Sequence, residues 1–149
     1  MRCSHLDRAL YVRACTKEYV LKIDYEYVEK ILEAFLDSEL PTMNWKSFEM
    51  LRADDDHKFV FHIEIMVDKG LIVGALKSGD IGISRTHSDY IISIVPWRLT
   101  ADGHDFANAL TKPSVLATIQ NKFKEEGLSA VIGIAKKIAE KQALKLLEE

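Results

Sequence analysis

The stretch 61–72 reads FHIEIMVDKGLI, and the stretch 97–106 reads WRLTADGHDF. The first has apolar residues at helical spacing and then Gly70, which is typical of a helix that stops before a new apolar run. The second ends an apolar run at Leu99 and offers Thr100 as the N-cap of another helix. Together they predict a helix that turns into a strand, and a second strand that leads back into a helix.

Two further helices are predicted before this stretch. Asp24 is a good N-cap for the first, and apolar residues follow it at helical spacing as far as Leu36. Thr42 or Asn44 can cap a shorter second helix. The third helix is expected over about 55–69, so three helices precede the strands.

The period changes after the third helix. The run 71–76 is short and apolar and the run 90–95 is rich in β-branched residues, which predicts the two paired strands of a hairpin. A turn is expected at 77–80, and 82–89 offers little to bury. Pro96 limits the second strand to an edge or to its own end.

The C-terminal part is predicted to be helical. Pro113 breaks the helix that starts at Thr100, and Ser114 is expected to cap the next one, which stops at Gly127. The segment 129–147 repeats Ala, Ile and Leu at helical spacing. This apolar stripe either covers the core of its own domain or pairs with a second copy of the chain.

Three helices followed by a hairpin are typical of a winged helix-turn-helix domain. We therefore expect an α+β fold, with a basic N-terminal extension at 1–23, a winged-helix-like domain at 24–110 and C-terminal helices at 111–149 that pack on the core or on a partner subunit. No internal repeat or long linker divides the chain further.

More closely, the chain resembles the DUF2513 family of small bacterial and prophage-encoded proteins, similar to the YjcQ-type proteins, from about residue 25 to 147. The motifs that carry the resemblance are His62-Ile63 with 69–72, and Leu99-Thr100 with 103–106. The resemblance implies a winged-helix-like fold and a phage or mobile-element setting. It implies no established activity, and the first 23 residues look longer than the usual start of the family.

Composition narrows the class of protein. The chain has 149 residues, a formal net charge of -3 and two cysteines, which suits one globular domain without a disulfide framework. No stretch approaches the roughly 18 apolar residues of a membrane span, and charged residues occupy the N-terminus where a signal peptide would be apolar. We expect a cytoplasmic protein with no membrane partner.

DNA binding is the first function to weigh, because a winged helix usually places its third helix in the major groove. The charge speaks against it: residues 54–70 carry a net charge of -3 and residues 24–39 a net charge of -5. Acidic surfaces repel the phosphate backbone. If DNA is bound, the expected contacts are Lys46, Arg52, Lys58, His62, Lys77 and Arg85.

Catalytic and metal-binding patterns are weak. His57 and His62 are five residues apart and so lie on different faces of a helix, unlike the pair in HExxH. His104-Asp105 has no nucleophile elbow, phosphate loop or oxyanion hole beside it. The sequence therefore predicts no catalytic residue, no metal, no cofactor and no small-molecule substrate.

Two functions remain open. The first is a non-enzymatic interaction protein that acts through protein contacts at the acidic helical face, with self-association through the C-terminal helix as a further expectation. The second is a DNA-binding regulator that uses the wing and the basic N-terminal segment. Clustering of Lys46, Arg52, Lys77 and Arg85 on one face would favour the regulator, and their dispersal among carboxylates would favour the interaction protein.

Overall fold

The computed structural model describes residues 21–53 and 55–148, and these form an α+β fold. The predictions that concern residues 1–20 lie outside the described residues. A 3-10 turn (Trp45–Phe48) leads into the second helix, and a π-helical turn (Ile119–Phe123) follows the fifth. The elements are α1 (Tyr25–Leu36), α2 (Glu49–Arg52), α3 (Asp56–Asp68), β1 (Ile72–Gly74), β2 (Ile83–Arg85), β3 (Tyr90–Ile92), β4 (Trp97–Leu99), α4 (Ala101–Leu110), α5 (Pro113–Thr118) and α6 (Leu128–Leu147).

Local capping sets the helix boundaries. Asp24 caps α1 by accepting two main-chain N–H groups, and Asn44 caps the 3-10 turn. Asp55 and Thr100 cap α3 and α4 in the same way. Gly70 follows α3 with φ of 70°, a left-handed conformation that glycine adopts without strain. The predicted caps at 24 and 100 and the glycine stop at 70 are therefore confirmed, and Asn44 is the cap of the second helical segment.

The predicted strand pairing is wrong. The run 71–76 was expected to pair with 90–95, but β1 pairs with β4 (Ile72 opposite Leu99) and β2 pairs with β3 (Ile83 opposite Ile92), both antiparallel. The reason is Trp97, which is fully buried and donates its indole N–H to the Ile81 carbonyl at 2.7 Å. Its burial places the residues after Pro96 opposite β1 as β4. We call the two successive strand pairs the ribbon, with β1 and β4 at its base and β2 and β3 beyond them.

A third extended segment lies beside β4. The main chains of Met43 and Trp97 exchange two hydrogen bonds, of 2.8 and 2.5 Å. The order across the base of the ribbon is therefore Met43, β4, β1. This bridge connects the loop between α1 and α2 to the strands.

The two motifs that predict the fold meet in the structure. Thr100 donates its hydroxyl to the Gly70 carbonyl, and its N–H donates to the Leu71 carbonyl at 2.9 Å. Gly103 packs directly on the same main chain, since a Cβ at that position would lie 2.1 Å from the Leu71 oxygen. The start of α4 is thus fixed against the end of α3.

The first half of α6 covers the core that the other helices build. Leu128, Val131 and Ala135 are buried in it, whereas Leu146 and Leu147 near the end of α6 are exposed. The prediction that Ser114 caps α5 is wrong. Lys112 takes the N-cap position, and Pro113 occupies the first turn. The largest fully buried side chains of the core are Trp97, Tyr25, Phe48, Phe59, Phe106, Ile31, Leu32, Ile63, Met66, Leu71, Ile72 and Leu110.

Candidate interaction surfaces

His62 joins α3 to the start of α1 and is 1% exposed. Its Nε2 accepts the Asp24 N–H at 2.9 Å, so Nδ1 carries the proton and donates to the Lys58 carbonyl at 2.8 Å. Burial of the ring lowers the pKa of His62, and the hydrogen bond to the Lys58 carbonyl only partly offsets this. This predicted nucleic-acid contact therefore lies in the interior as a neutral side chain.

Lys58 is held beside it. Its Nζ lies 3.1 Å from Asp24 Oδ2 and 4.6 Å from the centre of the Tyr27 ring. Burial works to raise the pKa of Asp24, but hydrogen bonds from Lys58 and from the Tyr27 N–H outweigh it, so the pKa lies below its ordinary value. The charge of this second predicted contact is thus compensated within the chain.

Arg52 is the last residue of α2 and contacts both the 3-10 turn before α2 and the start of α3. Its Nε donates to the Trp45 carbonyl at 3.2 Å, and its guanidinium is 4.2 Å from the centre of the Trp45 ring. The same guanidinium lies 3.3 Å from Asp56 Oδ1, and the side chain is only 13% exposed. Arg52 therefore stabilises the turn before α3 and presents little free charge.

Arg85 ties the ribbon to the outer side of α3. It makes two contacts with the Glu64 carboxylate, one from Nη2 and one from Nε at 3.4 Å. The hydrogen bonds to Glu64 raise the pKa of Arg85 further. A second contact lies nearby, since His57 Nδ1 and the Tyr90 hydroxyl are 2.8 Å apart. The inner face of the β2–β3 pair therefore lies along α3.

Lys46 and Lys77 differ from these four residues. Both are exposed, and neither forms an ion pair with any residue in the described ranges. Lys46 lies in the 3-10 turn and Lys77 in the loop between β1 and β2. Arg52, Lys58 and Arg85 are thus paired with carboxylates, and Lys46 and Lys77 are the predicted cations that are left without an ion pair among the described residues.

An acidic surface covers the outer side of α1. Glu29 and Glu33 lie one helical turn apart, which is the spacing at which like charges meet. Burial and then the hydrogen bond and charge of Glu33 raise the pKa of Glu29 to about 7. Sequence reasoning counted these charges but missed the pairing, for which their i, i+4 spacing is the signal. We define the acidic surface as Glu26, Glu29, Glu33 and Asp37.

A cleft of about 740 Å³ lies on another side of α3. Phe61 and Ile65 of α3 form part of its wall, and residues 21–25 and 124–127 form much of the remainder. Tyr25 donates its hydroxyl to the Glu126 carbonyl there at 2.5 Å. Burial and the charge of Glu126 raise the pKa of Tyr25 to about 12. Its phenol therefore stays protonated and works as a structural donor.

Comparison of the chain with protein-family models, curated proteins and solved structures found no match. The resemblance to the DUF2513 family therefore stays a prediction from the motifs. Within 21–53 and 55–148, no helix has both the length and the apolar composition needed to cross a membrane.

Proposed function

We propose that the chain is a non-enzymatic interaction protein that binds a protein partner with a basic surface at the acidic surface of α1. The observation that carries this proposal is that the predicted cations are mostly neutralised by ion pairs, whereas the carboxylates of the acidic surface mostly are not. Three of the cations expected to meet DNA (Arg52, Lys58 and Arg85) are paired with carboxylates, whereas within 21–53 and 55–148 the acidic surface forms a single ion pair, between Lys30 and Glu26 at 3.9 Å.

The raised pKa of Glu29 supports the same surface. Two carboxylates one turn apart repel each other, so a cation brought between them relieves the repulsion. A basic side chain of a partner would therefore bind more favourably here than at an isolated carboxylate. Binding of that kind is fast and decreases with salt.

The scaffold that we propose for this surface is a winged helix. It is supported by the order of helices and strands along the chain and by the spatial order Met43, β4, β1 across the base of the ribbon. A fold of this class does not fix a function. The phage or mobile-element setting and the cytoplasmic location stay predictions.

The experiment compares a neutralised variant with a matched control. Glu33→Gln with Asp37→Asn removes charge from the acidic surface, and Asp105→Asn with Glu140→Gln removes the same charge from α4 and α6. Proteins retained by the tagged wild-type chain are identified, purified and titrated against all three forms. We expect a partner whose affinity is lost in the first variant alone, and its absence would refute the proposal.

DNA binding is the competing function, and exposed Lys46 and Lys77 are the observation in its favour. Binding of purified protein to mixed genomic DNA fragments is measured at about 50 and 200 mM salt, a range over which several phosphate contacts weaken affinity steeply. We expect no binding at the lower salt. Salt-sensitive binding that Lys46→Ala with Lys77→Ala abolishes would replace the interaction protein with the regulator.

A further inference from the structure

The run 90–95, with the sequence YIISIV, is uncharged and rich in β-branched residues. Ile91 is 61% exposed and Ile94 is 48% exposed. Natural proteins usually protect an edge strand with charged side chains, and uncharged β-branched edges pair readily with other strands. The ribbon therefore exposes a strand edge whose composition favours pairing.

The main-chain pattern shows which groups face this edge. Ser93 donates its N–H to the Gly82 carbonyl at 2.8 Å, and Thr86 donates to the Asp89 carbonyl at 2.8 Å. Because hydrogen-bonded and non-bonded pairs alternate in an antiparallel ladder, the N–H and C=O of Ile92 point away from β2. Neither group of Ile92 has a hydrogen-bond partner among the described residues.

We propose that a second copy of this chain pairs with the β3 edge. Two β3 strands would run antiparallel about a two-fold axis at Ile92, joining two ribbons into one four-stranded sheet. This axis places Ile92 opposite its own copy, where the two residues would exchange both main-chain hydrogen bonds, and Ile91 opposite Ser93. Tyr90 lies opposite Ile94 and offers only its C=O there, because Asp89 accepts its N–H. No like charges face each other in this register, so the strand is complementary to itself.

The neighbouring residues limit the assembly to a dimer. The Asp89 carboxylate accepts the Tyr90 N–H at 2.9 Å, and Pro96 closes the other end of the exposed run. On β2, Arg85 lies opposite Tyr90. The charge of Arg85 is held by Glu64 and would be desolvated beside another strand. Within the described residues, β3 is thus the edge of the β2–β3 pair that suits pairing, and two β3 strands joined about a two-fold axis leave only the less suitable β2 edges exposed.

The test uses pairs of variants at positions that face each other in the ribbon. Ile92→Pro removes the outward N–H of β3 without touching the ladder to β2, and Ile83→Pro does the same at the opposite edge. Ile91→Lys adds a charge to β3, and Ser84→Lys adds it to β2 on the same face. Sedimentation equilibrium at micromolar to millimolar concentrations gives the mass of each form, and circular dichroism checks the fold.

We expect a wild-type mass twice that of the chain, retained in Ile83→Pro and Ser84→Lys and lost in Ile92→Pro and Ile91→Lys. A monomeric wild type at every concentration would overturn the proposal. A dimer that survives both β3 variants would also overturn it and would move the contact to the exposed end of α6. Loss of the dimer in all four variants would overturn it as well, since the contact would not be specific to β3.

Discussion

On the flank of α3 that faces α1, the buried side chain of His62 forms two hydrogen bonds, one of them to Asp24. On the flank that faces the ribbon, Glu64 holds Arg85 through an ion pair that solvent reaches. A buried polar group that loses its partner costs free energy, whereas an exposed ion pair exchanges its partner for water at little cost. The α1 flank should therefore determine stability, and the ribbon flank should be able to detach.

The strongest test of this difference is His62→Ala. The substitution leaves the Asp24 N–H without its partner and opens a cavity between α1 and α3. Together these effects should lower the free energy of unfolding by about 2–4 kcal/mol. Urea denaturation measures the loss, and His104→Ala, at an exposed position of α4, serves as the control. A cost no larger than that of the control would show that the two flanks do not differ.

The second test uses pH. The pKa of His62 is lowered in the folded chain, so the unfolded chain binds its proton more readily. The contribution of His62 to stability is present above its unfolded pKa of about 6.5 and is lost as the pH falls below it. Asp24 and Lys58 are the charged groups that act on the ring, and the buried environment outweighs their effects.

Protonation of Glu29 favours the folded chain over the same range, so His62 is tested by a difference: between pH 7 and pH 5 the thermal midpoint should change less favourably in the wild type than in His62→Gln. His62→Gln keeps an amide donor and acceptor but cannot titrate, so this part of the pH dependence should disappear. An equal change in wild type and variant would assign the acid sensitivity to another group.

The helix boundaries could be predicted from the sequence because they depend on neighbouring residues. Asp24, Thr100 and Gly70 act within a few positions of themselves, and each is found where it was expected. The strand pairing depends on which residues the core buries, and Trp97 decides that through Ile81, a contact that no local pattern reveals.

The charged residues also divide into what neighbouring residues reveal and what only contacts between distant residues reveal. Composition correctly showed that the helices are acidic, but it could not show that Lys58 meets Asp24, or that Arg85 meets Glu64 across the ribbon. These pairs join distant parts of the chain. The sequence therefore identified the candidate residues, and only the fold shows which of their charges are compensated.

A smaller effect is expected at the acidic surface. The pKa of Glu29 is raised to about 7, so this carboxyl favours the folded chain below its unfolded pKa and loses that contribution as the pH rises through 7. Glu29→Gln should therefore stabilise the chain at pH 8, by about 0.2–0.5 kcal/mol because solvent screens the pair with Glu33. The gain should vanish at pH 4, and an equal gain at both values would exclude charge as its cause.

The smallest effect on global stability is expected for Arg85→Ala. It removes the exposed ion pair with Glu64, so the urea midpoint should stay within error of the wild type. The ribbon should nevertheless separate from α3 more often, since the contact between His57 and Tyr90 is then the remaining side-chain hydrogen bond between them among the described residues. Hydrogen exchange measures this directly: main-chain N–H groups of 83–92 should exchange faster in Arg85→Ala, while those of α3 keep their wild-type rates. Faster exchange in α3 as well would mean that both flanks open together, and the distinction between a fixed flank and a detachable one would be lost.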